Sequence, residues 1–378
     1  MRLRVCGRIY DGFAWRHAGI VEDGRLTFAD CARFDREIVL DGVLFPGFVN
    51  AHAHLDLFFD LPSLPFEQWV PLLIEKILTD YSQADGIHAS LALLEQSGVR
   101  FIGDIARPIP GSPCCANISP INKLRHVITG EEPLHFSPDR MQGRCYIRNF
   151  CEFINRYPEY IRPQLHYSPH ALYTVPHDFL RRFALDNRSL FQMHVAESPG
   201  ETGYFLHEPS GDHFYDTYLA RFQVRRYLGE PLSPVRLLES LGLLTSQSLL
   251  VHMGMASDDD LDLVAASGAK VITCPVSNHY LYAPHVELAK LEARGIRYAI
   301  GTDGKCSHPD LDFLRDYRLV AAQVGWEKAF LAATSGGAEI LGLMSEYTLE
   351  GADITRAVVG IGDGLNFTRM VSATEALR

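Results

Sequence analysis

From Gly42 onward, short apolar runs alternate with segments of ten to twenty residues in which apolar positions recur every three or four. The runs lie at 43–53, 99–105, 124–129, 163–168, 190–195, 249–253, 270–274 and 297–302. Helical periodicity fills 66–81, 86–97, 144–157, 176–186, 234–241, 257–266 and 286–294, with further helices over 311–324 and 327–343. Eight strand–helix repeats predict an α/β fold of the (β/α)8, TIM-barrel type. An open doubly wound sheet would usually show a glycine-rich phosphate turn after its first strand. The first strand here ends instead in His52-Ala53-His54.

The two ends of the chain read differently. RLRVCGRIY, HAGIVE and LTFAD carry β-type residues, with Asp11-Gly12, Asp23-Gly24 and Asp41-Gly42 as turn dipeptides. From Ser345 the sequence is again strand-like and glycine-rich, as in Ala357-Val358-Val359-Gly360. The expected organisation is a small β domain built from 1–42 and 345–378 around a barrel over 43–344. The stretch 200–234 is long for a strand–helix connection and holds seven aromatic residues. It is expected to be a lid over the barrel mouth.

Composition narrows the function. With 47% hydrophobic and 21% charged residues the chain is an ordinary globular protein, neither disordered nor coiled coil. A net charge of −11 and only six lysines, none in a run, argue against nucleic acid as partner. No stretch approaches the length of a membrane span, so no membrane partner is expected. MRLRVCGRIYDG lacks the apolar region of a secretory signal. Eight scattered cysteines then read as reduced thiols of a cytoplasmic protein.

His52 and His54 are two apart on a strand, so both imidazoles point to one side, at the strand end where barrel enzymes keep their chemistry. The pair alone is a common chance pattern. His194, His252 and Asp303 also end apolar runs, and buried ionisable groups are costly unless paired or metal-bound. Three nitrogen ligands and one carboxylate suit one divalent ion, Zn2+ first and Fe2+ second. The fourth predicted strand ends without a lysine that could bridge two metals, and His170 stands just beyond it. HExxH, CxxC and GxSxG are absent, as is the H-x-E with P-C-x-x-C pattern of small nucleobase deaminases. Glu197, three residues past His194, reads as a proton shuttle, and His170 as a contact to a small-molecule substrate.

Taken together, Phe45–Asp56, Ser168-Pro169-His170-Ala171, His194-Val195-Ala196-Glu197, Cys274–Asn278 and Gly301-Thr302-Asp303-Gly304 resemble the ordered motifs of the amidohydrolase superfamily, in its mononuclear deaminase and chlorohydrolase branch. Within that branch Phe66–Pro71, Thr174–His177, Leu249–Met253 and Cys274–His279 are most similar to the 6-aminodeoxyfutalosine deaminases of menaquinone biosynthesis. Gly304 departs from the serine often found after the metal-site aspartate, Cys114-Cys115 has no counterpart, and the tail is short. The resemblance implies His52, His54, His194 and Asp303 as metal ligands. It implies Asp303, Glu197 and His252 as catalytic groups, with His252 holding the reacting water and Glu197 protonating the ring nitrogen. Trp69, within the Phe66–Pro71 motif, and His170 become candidate substrate contacts. A benzoate-bearing nucleoside calls for a planar cation, and Arg107 and Arg148 are the candidates. Guanine, adenosyl-type or triazine deamination and dechlorination share the same metal set, because loops choose the substrate. A non-catalytic scaffold would show gaps in the ligand set, and a homodimer is compatible with the pattern.

Overall fold

The protein is seen in a computed structural model, which describes residues 2–28, 33–79, 83–106, 139–154, 161, 164–222 and 226–378. The N-terminal residues form β1 (Arg2–Tyr10), β2 (Trp15–Glu22), β3 (Arg25–Thr27) and β4 (Arg36–Phe45). Asp23 and Gly24 join β2 to β3 with φ of 51° and 77°, the twist a two-residue hairpin needs. Asp41-Gly42 is not a turn. It lies within β4, which pairs in parallel with β1.

The predicted first barrel strand is split by Pro46-Gly47. Val43–Phe45 stay in the small sheet, and β5 (Phe48–His54) begins the barrel. The barrel continues through β6 (Val99–Ala106), β8 (Cys145–Phe153), β9 (His166–Pro169), β10 (Phe191–Val195), β11 (Ser248–His252), β12 (Lys270–Thr273), β13 (Tyr298–Ile300) and β14 (Asp303–Gly304), with β7 (Arg140–Gln142) antiparallel on β8. The eighth strand is thus broken in two. β13 pairs with β12 and β14 pairs with β5, so the parallel sheet closes on itself. Every residue of β5, β10, β11, β12 and β13 is buried, as expected of parallel strands covered by helices.

The helix expected over 144–157 is instead largely strand β8, paired on both sides with β6 and β9. Ile147, Phe150, Cys151 and Phe153 fit a helical spacing as well as a buried strand, and periodicity alone does not separate the two. The strand expected at 124–129 lies outside the described residues. The helix expected over 327–343 breaks into Trp326–Ala332 and Ser335–Ile340. The other predicted helices form within a few residues of expectation. Asp258–Ser267 shows why: Ser257 and Asp260 make a reciprocal capping box, three acids occupy the first turn, and Gly268 closes the far end at φ 74°.

After the barrel, β15 (Val358–Asp363) and β16 (Asn366–Ser372) return to the small sheet, whose order is β16-β15-β4-β1-β2-β3. Leu3, Val5, Ile9, Leu44, Leu349 and Val359 form its own apolar cluster. The expected lid is anchored in the core by one face, while much of its outer face is exposed. Its first part folds as helices Pro199–Leu206 and Pro209–Thr217, and Phe205, Phe214 and Leu219 are fully buried in the barrel's hydrophobic cluster. Deleting it should therefore unfold the barrel rather than merely weaken substrate binding. No helix among the described residues is long and apolar enough to cross a membrane.

Candidate active site and metal centre

Four barrel strands deliver ionisable side chains to one point. Alternation along β5 turns His52 and His54 to the same side, with ring centroids 5.1 Å apart. β10 brings His194 and β11 brings His252, whose rings lie 5.0 and 6.2 Å from that of His52. Asp303 opens β14, opposite Ala53. His54 Nε2 is 3.5 Å from His194 Nε2 and 3.4 Å from Asp303 Oδ1, and His52 Nε2 is 3.8 Å from the same oxygen. Glu197 Oε1 lies 3.4 Å from His252 Nε2. Ala196, His252, Met253 and Asp303 have positive φ despite carrying side chains. Such backbone costs about 1–3 kcal/mol per residue and gathers at functional sites. Bonds such as Met253 N–H to Val195 O and Met255 N–H to Ala196 O hold it.

His52, His194 and His252 are each oriented by a bond on the far nitrogen. Gln192 Oε1 takes His52 Nδ1–H at 2.7 Å, while its amide donates to Ala51 O at 2.9 Å. Gly103 leaves room for that amide: a Cβ there would sit 2.4 Å from Ala51 O and 3.1 Å from Gln192 Nε2. His194 Nδ1–H donates to His170 O at 2.9 Å. His252 Nδ1–H donates to Asn278 Oδ1 at 2.9 Å, and the Asn278 amide is fixed by Pro284 O at 2.6 Å. The Nε2 lone pairs of His52, His194 and His252 are thereby turned inward. On Asp303, Oδ2 accepts the hydroxyls of Ser277 and Ser307 at 2.8 and 2.7 Å, which leaves Oδ1 facing the histidines.

Burial sets the protonation states. It drives His194 well below its ordinary pKa, helped by His170, His52, His252 and His54, and it lowers His252. Both are neutral, the form that has a lone pair to give. Burial would raise Asp303, but His52, His54 and His252 hold it well below the usual carboxylate range. Glu197 is pushed well above that range by burial and by the charges of Asp303 and Glu67. Two neighbouring carboxyls are therefore shifted in opposite directions, Asp303 towards the ionised form and Glu197 towards the protonated one.

Among the described residues His52 Nε2 and His252 Nε2 are buried polar atoms with no hydrogen-bond partner, an expensive arrangement in a native interior. His52, His194 and His252 form one cluster whose ligand-type atoms lie within 4.8 Å of one another, and His52, His54 and Asp303 form a second. An oxygen- and nitrogen-donor set of this kind fits one divalent ion. His252, read from sequence as a partner of the water, is thus as close to the centre as the expected ligands.

Of the other sequence candidates, His170 is half-buried against His194, with ring centroids 4.9 Å apart and Nδ1 2.9 Å from Thr174 Oγ1. Trp69 is buried and donates its indole N–H to Cys306 O at 3.2 Å. Arg107 lies outside the described residues. Arg148 is not at this site. Its guanidinium binds Asp139, Leu341 O and Gly342 O. By strand register Arg148 lies three residues below the level of Phe191 and His194 three above it, about 20 Å along the strands at 3.3 Å per residue. The sequence reading missed Gln192, Ser277, Asn278 and Ser307. Gln192 was within reach, because it alternates with His194 on the inward face of one strand. Gly304, the departure from the family pattern, is explained locally: a Cβ would meet Cys306 Sγ at 3.1 Å and Leu57 Cβ at 3.2 Å.

Glu201 supports Glu197 from behind. Its Oε2 accepts the Glu197 N–H at 2.8 Å, and its own N–H is capped by Ser198. Burial pushes Glu201 from the ordinary 4.5 up to about 8. The folded chain then keeps a proton that the unfolded chain has released. That stabilisation is complete below about pH 4.5 and is lost as pH rises through about 8. Glu201→Gln, which retains an acceptor oxygen, should flatten the decline of Tm across this window. Thermal melts at several pH values test this, and an unchanged slope would refute it.

Residues 43–347 match the amidohydrolase family, and the chain belongs to it. It is a hydrolase of carbon–nitrogen bonds. Among its relatives is the aminodeoxyfutalosine deaminase of Deinococcus radiodurans, 29% identical over 93% of this chain and 88% of the relative. The 5-methylthioadenosine/S-adenosylhomocysteine deaminase of Dictyoglomus thermophilum is 27% identical over 83% of this chain and 73% of its own. Among solved structures, aminofutalosine deaminase of Helicobacter pylori in complex with methylthio-coformycin superimposes with a TM-score of 0.70 at 19% identity, covering 100% of this chain and 95% of the other. Zinc-complexed atrazine chlorohydrolase from Arthrobacter aurescens gives 0.67 at 15% identity, covering 99% and 91%. At such identities these structures speak for the fold.

Proposed function

We propose that this protein is a zinc-dependent hydrolytic deaminase of an adenine-type nucleoside, with 6-aminodeoxyfutalosine of menaquinone biosynthesis as its substrate. The observation that carries this reading is the convergence of His52, His54 and His194 Nε2 with Asp303 Oδ1, with the Glu197 carboxyl 3.4 Å from His252 Nε2. His52, His54, His194 and Asp303 would hold the ion. A divalent ion there lowers the pKa of water and supplies a nucleophile near neutral pH.

The chain's own groups account for the proton traffic. Asp303, kept ionised, accepts a proton from water on the oxygen not occupied by Ser277 and Ser307. His252, with Nδ1–H committed to Asn278, offers Nε2 to the incoming oxygen and fixes its direction. Glu197, kept protonated, donates to the ring nitrogen next to the amino-bearing carbon. As the tetrahedral carbon collapses, Asp303 passes its proton to the amino nitrogen, the C–N bond breaks to release ammonia, and the remaining hydroxyl proton returns to Glu197 as the C=O forms. Tyr173, Phe214 and Tyr218 form a buried aromatic cluster, and Tyr173 and Tyr218 lie close enough to Glu197 to feel its charge.

The test is ammonia release from the zinc-loaded protein over 6-aminodeoxyfutalosine, 5-methylthioadenosine, S-adenosylhomocysteine, adenosine and guanine. The benzoate-bearing nucleoside should exceed adenosine in kcat/KM by about tenfold or more, the worth of one charge-assisted bond. Arg107 is the remaining arginine candidate for that contact. Equal kcat/KM for the two would reject the futalosine assignment, and activity confined to 5-methylthioadenosine and S-adenosylhomocysteine would move the protein to that deaminase group. Ammonia from none of them would overturn the deaminase reading.

A further inference from the structure

One buried His–Asp pair near the site has no part in this chemistry. His308, in the loop after β14, and Asp316, in the helix Phe313–Val324, are both fully excluded from solvent. Asp316 Oδ2 accepts His308 Nε2–H at 2.8 Å, and its Oδ1 accepts the backbone N–H of Val276 at 3.0 Å. His308 Nδ1 in turn accepts Leu311 N–H at 3.0 Å. Buried pairs of this kind are often no more stabilising than apolar residues of the same volume, so stability alone is a weak account of it.

What the pair touches is more telling. Val276 directly precedes Ser277 and Asn278. Ser277 binds Asp303 Oδ2 at 2.8 Å, and Asn278 holds His252 Nδ1 at 2.9 Å. Ser307, next to His308, binds the same Asp303 oxygen at 2.7 Å. Both chain segments that orient Asp303 and His252 are therefore pinned at one buried junction. We infer that His308 and Asp316 are a positioning pair that sets Asp303 and His252 together, through Ser277, Asn278 and Ser307. The inference rests on the metal-hydrolase reading above. The pair touches neither substrate nor ion, and it acts by fixing the groups that do.

The experiment uses the zinc-loaded full chain. Asp316→Ala releases the Val276 N–H and should lower kcat by about 10–100-fold while KM stays near wild type, and should speed zinc loss to a chelator by a similar factor. Asp316→Asn keeps an acceptor for Val276 and should restore most of the zinc retention. Wild-type kcat and chelator rates in Asp316→Ala, or losses that only follow the folded fraction by circular dichroism, would overturn the role. Should that variant fail to fold, His308→Leu, which leaves the Asp316–Val276 bond, decides: faster zinc loss and lower kcat support the pair, and unchanged values overturn it. Zinc release is read without substrate, so it remains decisive whichever nucleoside is turned over. A wild-type chain that retains no divalent ion sinks the metal reading itself; variants that match a zinc-retaining wild type sink only the pair.

Discussion

Asp303→Ala should lose the bound metal and turnover together. Asp303 is the only carboxylate among the converging ligand-type atoms of the described residues, with Oδ1 3.4 Å from His54 Nε2 and 3.8 Å from His52 Nε2. Alanine removes the carboxylate that the proposed mechanism uses as ligand and proton acceptor, and takes from Ser277 and Ser307 the oxygen they both bind. His52→Ala should act alike, since it also strands Gln192 in the barrel interior. Elemental analysis is the measurement. The wild type should hold about one divalent ion per chain, and each variant a small fraction of that. Two ions at full occupancy in the wild type would refute the single-metal centre, and an Asp303→Ala protein that keeps its ion would remove Asp303 from the ligand set.

Glu197→Gln separates chemistry from metal binding. The amide is nearly isosteric and approaches His252 in the same way, but it has no acidic proton to give. Because burial, Asp303 and Glu67 push the Glu197 carboxyl well above the ordinary carboxylate range, the proposed mechanism has it enter the reaction as an acid. Its contribution should be lost as pH rises through its raised pKa. The variant should keep its metal and fold while kcat drops by about 10²–10⁴, or roughly 3–5 kcal/mol at 1.4 kcal/mol per tenfold. Steady-state kinetics beside metal analysis reads both halves. Near wild-type kcat would take the proton shuttle away from Glu197.

The sequence by itself determined the class of fold and the points where chemistry emerges. Strand ends are legible because a buried parallel strand is a short apolar run, and a His or Asp closing such a run is conspicuous. His52, His54, His194, His252 and Asp303 could all be read this way, and the tail's return to the N-terminal strands followed from composition alone. Tertiary structure decided what local pattern leaves degenerate. Cys145–Phe153 suits helix or strand, and only its two neighbours in the closed sheet select the strand. Gly200–Pro234 looked like a surface lid until Phe205, Phe214 and Leu219 proved to be packed in the core. Arg148 stood close in sequence to the expected site yet lies toward the opposite end of the barrel, because strand register fixes height. The orienting residues Ser277 and Asn278 act through hydrogen bonds to Asp303 and His252, each 26 residues away in the chain. Such bonds depend on direction and register, which no one-dimensional spacing records.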